Sequence, residues 1–365
     1  MTFALPHFAP SCRQIGLACL SWSLLTASIA VAPGCAADSP SEPEPGISVR
    51  PPLRPEAAPA GDGEGTMYAI TRFDIGARSA SGVESGDAWQ AFGYDLDELI
   101  TVDDFDNHCT AAAGANPSNV FPDGPGGIDN AFGKLLLPIL RFAANSSNGE
   151  VEDSINDALG GATSGLLIHL RNMGTEANYD PIDAYIYRVD GLESGGWAIS
   201  ESSVSDLEAP DFDAVLRTGK ARFGDSYVRS SVWVSGEGTG SLDAIDLIWN
   251  IAGQPLRLRV HQPTVTMKVG ATPGVTSGVI AGVLRTEEAV DQVRRWITSS
   301  STSFCDGAAV EDVLNQLRQM SDMQLGETQS AGAECNGISI GIGFQAEPTT
   351  VSEISAESLS LDPCL

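Results

Sequence analysis

Leu256-Arg257-Leu258-Arg259-Val260-His261-Gln262-Pro263-Thr264-Val265-Thr266-Met267-Lys268-Val269 alternates apolar and polar residues almost without a break. Successive side chains of a strand point to opposite faces, so this period of two sets Leu256, Leu258 and Val260 against Arg257, Arg259 and His261. After Pro263 the alternation resumes with Val265, Met267 and Val269. Such a stretch reads as a half-buried antiparallel strand. Working outward, residues 227–235 read as a second strand, with Val228, Val232 and Val234 opposite Arg229 and Ser231. Weaker strands are expected at 67–75, 165–171, 182–189, 244–251 and 275–284, separated by Gly, Pro and Asp turns. The fold class this predicts is mainly β, an antiparallel sandwich or curled sheet with a few helices packed on it.

The last strand has a peculiarity of its own. Ile338, Ile340, Ile342, Phe344 and Ala346 share one face, while Gly337, Ser339, Gly341 and Gly343 leave the other nearly bare. A bare face invites a bulky cover, and the expected cover is the helical region 286–324, with a ligand platform as the functional alternative. That region shows two amphipathic patterns. Thr286 caps Ala289, Val290, Val293, Trp296 and Ile297, and Asp306 starts a run with Val310, Val313, Leu314 and Leu317. Shorter helices are expected from Asp129-Asn130 to Leu137, ended or kinked by Pro138, and from Glu150 to Leu159.

Upstream of the strands the composition changes twice. Residues 15–32 are uncharged and apolar after Arg13, and Pro33-Gly34-Cys35 follows. That order of positive flank, apolar run and small residues is the pattern of a secretory signal. Ala32-Pro33-Gly34-Cys35 resembles the lipobox of bacterial lipoproteins, although the family usually has Leu three places and Ala or Ser two places before the Cys. The resemblance implies cleavage before Cys35, lipidation of its thiol and attachment to a membrane, and Ala36 implies delivery to the outer membrane, on its periplasmic or surface face. Cleavage after Ala37 and an uncleaved anchor are the alternatives. Residues 36–66 are rich in Pro and Gly and read as a disordered tether. The domains expected are therefore a signal at 1–35, a tether at 36–66 and one acidic β-rich domain at 67–365.

The net charge of −28 makes nucleic acid a poor partner, because the long-range field repels it. Beyond Cys35, four cysteines remain in what the signal makes an oxidising compartment. Two disulfides are expected, Cys305 with Cys335 and Cys109 with Cys364, out of three possible connectivities.

Between Arg78 and Lys134 there is no Lys or Arg, yet the segment holds Glu84, Asp87, Asp95, Asp97, Glu98, Asp103, Asp104, Asp106, Asp123 and Asp129. Packed together, these carboxylates repel one another, and a hard cation with oxygen ligands relieves the repulsion. Asp95, Asp97, Asp123 and Asp129 are the predicted ligands of a Ca²⁺ ion. Asp123-Gly124-Pro125-Gly126-Gly127-Ile128-Asp129 adds a glycine-rich turn with free carbonyls, although neither segment follows the EF-hand spacing. The same ten residues also read as a solvated acidic loop, with Asp129 as a helix cap.

Catalytic signatures are weak. Gly337-Ile338-Ser339-Ile340-Gly341 matches G-x-S-x-G, but it sits in a strand and no His follows it. His108, His169 and His261 lack metalloprotease spacing, and His108 beside Cys109 reads as a loop residue or a ligand. Trp89, Trp197 and Trp233 are candidates for stacking on sugars, with core packing as the commoner role.

Phe92-Gly93-Tyr94-Asp95-Leu96-Asp97, the 123–130 turn and Cys335-Asn336-Gly337-Ile338-Ser339-Ile340-Gly341-Ile342-Gly343-Phe344 resemble uncharacterised lipoproteins of myxobacterial type. That resemblance implies a class and a compartment and no reaction. The function expected is a non-catalytic binding module on the cell envelope, with carbohydrate or protein as its ligand. The alternatives are a carbohydrate-active hydrolase using paired carboxylates and a purely structural envelope protein.

Overall fold

Strands with one apolar face must hide it, and in this chain eight of them do so by closing a ring. The computed structural model describes residues 49–356 apart from 80–81, 102–107, 116–122, 145–146, 161–164, 194–195, 237–242, 271–273, 300–306 and 327–328. Its strands are β1 (Gly63–Asp74), β2 (Gly165–Asn172), β3 (Tyr179–Glu193), β4 (Gly196–Ser200), β5 (Ala221–Arg229) and β6 (Val232–Val234), followed by β7 (Ala244–Ile251), β8 (Gln254–Lys268), β9 (Thr276–Arg285), β10 (Gly337–Thr349) and β11 (Val351–Ser355). The order β3-β2-β1-β10-β9-β8-β6-β5 returns to β3 through a β3–β5 pairing. Every pairing in that ring is antiparallel. The molecule is thus mainly β as expected, and the sheet curls until it shuts. The sandwich alternative does not form, because closure leaves these eight strands no free edge along the ring.

Alternation decides which side chains go inside. Ile70, Ile168, Ala184, Phe223, Trp233, Met267, Ile280 and Phe344 come from all eight strands and belong to one buried cluster. Residues of opposite parity, such as Ala69, Leu167, Tyr185 and Tyr187, form a second cluster outside the ring. That outer patch is covered by Ile199, Val204, Val215 and Leu216. β4 pairs with β3 and in parallel with β11, and β7 extends the sheet beside β8. Each large side chain so buried is worth about 1.5–3 kcal/mol relative to exposure.

Helices close the rest of the core. Thr286–Ser299 lies on β8 and on the helix Ala308–Arg318. Val290 and Val293 are fully buried, and Trp296 Nε1 donates to the carbonyl of Ile251. Both amphipathic helices are therefore present, although Asp306 lies outside the described residues. Asn148–Gly160 packs on β1 and β7. Among the described residues no helix is long and apolar enough to cross a membrane.

Several expectations are corrected. Residues 227–235 are two strands, because Ser230 and Ser231 take left-handed φ values of 50° and 61° and turn the chain into a β5–β6 hairpin. Such turns favour Asn-Gly or Gly-Gly, so a Ser-Ser turn leaves no sequence signal. Pro138 neither ends nor breaks its helix. It lies inside a continuous helix at the point where the π-helical segment Phe132–Leu136 passes into Leu137–Ala144, so the helix absorbs the missing N–H by a local distortion, in line with the kink the sequence allowed. Trp233 is fully buried edge-on to Phe223, and Trp89 is buried, so neither is a surface sugar platform. Trp197 is half-buried against the outer cluster.

The expected tether at 36–66 is in part attached to the barrel. Val49 N–H donates to the Gly126 carbonyl, the Val49 carbonyl accepts from Asp95 N–H, and Tyr227 Oη donates to the Pro52 carbonyl. Arg54 reaches Asp180 at 2.6 Å and Asp225 at 2.8 Å and stacks over the Tyr227 ring. A Pro-rich segment with few apolar residues gains these contacts only from a surface that is about 45–175 residues away in sequence. The ordered part of the domain therefore begins before Met67.

Candidate metal centre

β10 runs past the end of β1, since their register stops at Asp74 opposite Gly343. The β10 backbone groups from Gly337 to Gly341 on that side have no strand partner, and a buried unpaired backbone group costs free energy. Side chains from two loops, Asn130 and Asp322, take the place of the missing strand, and the Met323 backbone pairs with Gly337. Asn130 Nδ2 donates to the Gly341 carbonyl at 2.9 Å, and its Oδ1 accepts from Gly341 N–H at 3.1 Å. The same amide also donates to the carbonyls of Trp89 and Phe92. Asp322 accepts from Ser339 N–H at 2.8 Å and from Ser339 Oγ at 2.5 Å, and Ser339 Oγ in turn accepts from Ala131 N–H.

The bare glycine face of β10 is covered here chiefly by the 88–95 loop; of the expected 286–324 cover, Asp322 and Met323, beyond the helices, reach Ser339 and Gly337. A Cβ on Gly343 would lie 2.3 Å from the Phe92 ring, and one on Gly341 would lie 2.4 Å from the Phe92 carbonyl oxygen. Glycine is required because the 88–95 loop lies directly on the strand. Gly341 and Gly343 thus serve as a docking floor for that loop.

The same docking gathers the acids. Asp129 N–H donates to the Tyr94 carbonyl, and Asp129 Oδ2 accepts from Leu96 N–H at 2.6 Å. Gly126 and Gly127, with φ of 71° and 77°, carry the turn back so closely that a Cβ on Gly127 would lie 3.3 Å from the carboxyl carbon of Asp95. As a result Asp95, Asp97 and Asp129 each present an oxygen within 4.8 Å of the others. The side chains of Asp95 and Asp97 are 1% exposed. Asp123, the fourth predicted ligand, does not join this trio. Its Oδ2 accepts from Thr101 N–H at 2.5 Å, and the carboxylate acts on the others through its charge.

Little positive charge offsets this group. Arg50 approaches Asp95 at 3.7 Å and pairs with Glu98 at 2.9 Å. His108 Nε2 lies 2.9 Å from Asp97 Oδ2. Burial raises the Asp123 carboxyl to about 8, with Asp97 and Asp322 pushing the same way against the Thr101 hydrogen bond. Asp129 is raised well above the usual carboxylate range by burial and by Asp97, Asp123 and Asp322. Burial likewise lifts Asp322 to about 6 despite its bonds from Ser339. For His108 burial works against the proton, but the hydrogen bond and charge of Asp97, joined by Asp322 and Asp123, outweigh it and raise the imidazole. In each case the site favours an added positive charge. A proton supplies one, and a cation with oxygen ligands supplies more.

A disulfide anchors the far side. Cys109 is bonded to Cys335, and both are buried. This replaces the expected pairs Cys305–Cys335 and Cys109–Cys364, because each sulfur forms one such bond. Cys305 and Cys364 lie outside the described residues, as do Cys35, Asp103, Asp104 and Asp106. Thr110 and Glu334 continue the link as a parallel bridge, and His108 Nδ1 lies 3.5 Å from Cys109 Sγ. The disulfide, the imidazole and Asp97 are therefore contiguous.

Asn130, Asp322 and Ser339 were missed as members of this centre. In the sequence Asn130 reads as a helix cap, and Ser339 as a strand residue at the centre of a G-x-S-x-G match. Asp322, nearly two hundred residues from Asp129, carried no signal. The chain matches no known family model, no curated protein and no solved structure.

Proposed function

We propose that this is an exported, lipid-anchored protein of the cell envelope, non-catalytic, whose barrel carries a Ca²⁺ ion held by Asp95, Asp97 and Asp129. The observation that carries the metal reading is the meeting of three buried carboxylates within 4.8 Å beside two more raised ones, with few bases among them. Ca²⁺ suits the site because it accepts six to eight oxygens in irregular geometry, and the turn at Gly127 lies directly against the Asp95 carboxyl. The apolar run ahead of Cys35 supports export, and the buried disulfide accords with an oxidising compartment. The hydrolase alternative is weakened by the burial of Trp89 and Trp233, which removes two of its three sugar-stacking candidates.

Calorimetric titration of chelator-treated protein with CaCl₂ at pH 7.5 should give one saturable event. Asp97→Asn and Asp129→Asn should each weaken it at least about tenfold, or about 1.4 kcal/mol. Absence of heat, together with an unchanged melting curve on adding Ca²⁺, would sink the metal reading. The anchor is tested by intact mass. Native protein should begin at Cys35 and carry acyl chains, and a product that retains Met1 excludes that step.

A further inference from the structure

The second place where charge and shape coincide lies at one end of the barrel, apart from the acidic centre. A cleft of about 350 Å³ opens between β3, the start of β5 and the β7–β8 hairpin. Arg188, Lys220 and Arg259 line it, joined by Ser202, Ser203 and Asp246. The volume suits a small molecule of sugar size.

Carboxylates outnumber bases 48 to 20 in this chain, and most of the described arginines sit in an ion pair with Asp or Glu. Among the described residues, Lys220 and Arg259 are in none. Lys220 Nζ is held by the Ser202 carbonyl at 2.7 Å, which orients the ammonium without neutralising it. Arg188 is fixed from behind, its N–H bonded to Ser203 Oγ and its guanidinium 3.3 Å from Ser200 Oγ. Asp246 lies across from Arg259 in the β7–β8 ladder but gives its Oδ2 to Arg257 at 2.6 Å. Its other oxygen, Oδ1, is buried and has no hydrogen-bond donor among the described residues. An acceptor left in that state implies a donor brought by something else.

We propose that this cleft binds a small, hydroxylated anion, a sugar phosphate or a sugar carboxylate. Its acidic group would lie among Arg188, Lys220 and Arg259, and one of its hydroxyls would donate to Asp246 Oδ1. Fixed guanidinium and ammonium donors suit phosphate and carboxylate alike. The overall negative charge repels an extended anionic surface, whereas a small ligand inside the cleft lies within a Debye length of about 8 Å of these bases. The inference stands independently of the calcium reading, since the two sites share no residue.

The test is calorimetric titration of the full chain with inorganic phosphate, glucose 6-phosphate and glucuronate, at low salt and in 0.5 M NaCl. The variant Lys220→Gln/Arg259→Gln is titrated in parallel. Both residues are exposed, so the variant should melt with the parent. At least one of the two sugars should bind saturably with one site, more tightly than inorganic phosphate. Salt should weaken that binding, and the double variant should weaken it at least tenfold. Which sugar binds identifies the acidic group. The proposal is overturned if neither sugar binds saturably, if phosphate binds as tightly as the sugars, or if the double variant binds like the parent.

Discussion

Replacing Cys109 and Cys335 together by alanine should lower the unfolding free energy by about 5 kcal/mol. The bond spans 226 residues, and by the chain-entropy relation a loop of that size removes about 5 kcal/mol of freedom from the unfolded chain, an upper value. For a barrel of this size the shift in melting temperature should be about 10 °C. Because Cys109 adjoins His108, and His108 contacts Asp97, Ca²⁺ affinity should fall with stability. Scanning calorimetry of parent and variant decides the matter. A variant that melts within 2 °C of the parent would show that the Thr110–Glu334 bridge and the surrounding packing hold this corner without the covalent link.

In EDTA the melting temperature should drop as pH rises from 5 to 8. Asp123 has a folded value of about 8 against an ordinary value of 3.8, so the folded state holds a proton that the unfolded state has released. A group raised in this way stabilises the fold fully below its unfolded value, and that contribution is lost as pH climbs through its folded value. Asp322, Asp129 and His108 are raised too and act with the same sign. One unit corresponds to about 1.4 kcal/mol, so even half of the Asp123 displacement costs the metal-free fold about 3 kcal/mol at pH 8. At the proposed site Ca²⁺ would replace those protons. At a hundred times its dissociation constant it should return about 2.7 kcal/mol, and the gap between the two melting curves should widen with pH. Curves that coincide from pH 5 to 8 would show that the carboxylates keep their protons and take no cation.

Other ends of the chain were readable to different degrees. Leu256 to Val269 gave both the strand and its inward face, since Leu258, Val260, Val265 and Met267 are all buried. The slip between His261 and Thr264, where Gln262 takes a φ of 48°, falls beside Pro263, as an interrupted ladder would have it. The short pair of β4 and β11 was invisible. Their parallel ladder joins residues about 150 apart, and neither strand alternates strongly. The acid-rich segment pointed to Asp95, Asp97 and Asp129, and these three do converge. Asp123 was included by its neighbourhood in sequence, whereas its place is set by a hydrogen bond to Thr101.

What the sequence determined by itself is the local part: which residues alternate, which face each strand buries, where the amphipathic helices run, and that the carboxylates between Arg78 and Lys134 have no Lys or Arg among them. These follow from periodicities of two and 3.6 and from charge, which are properties of adjacent residues. Closure of the ring through β3 and β5, the pairing of Cys109 with Cys335, and the entry of Asn130 and Asp322 where β1 falls short were decided only in three dimensions. Each depends on which unpaired backbone group or apolar face lies nearest once the barrel has closed, and that distance is not encoded at any single stretch of the chain.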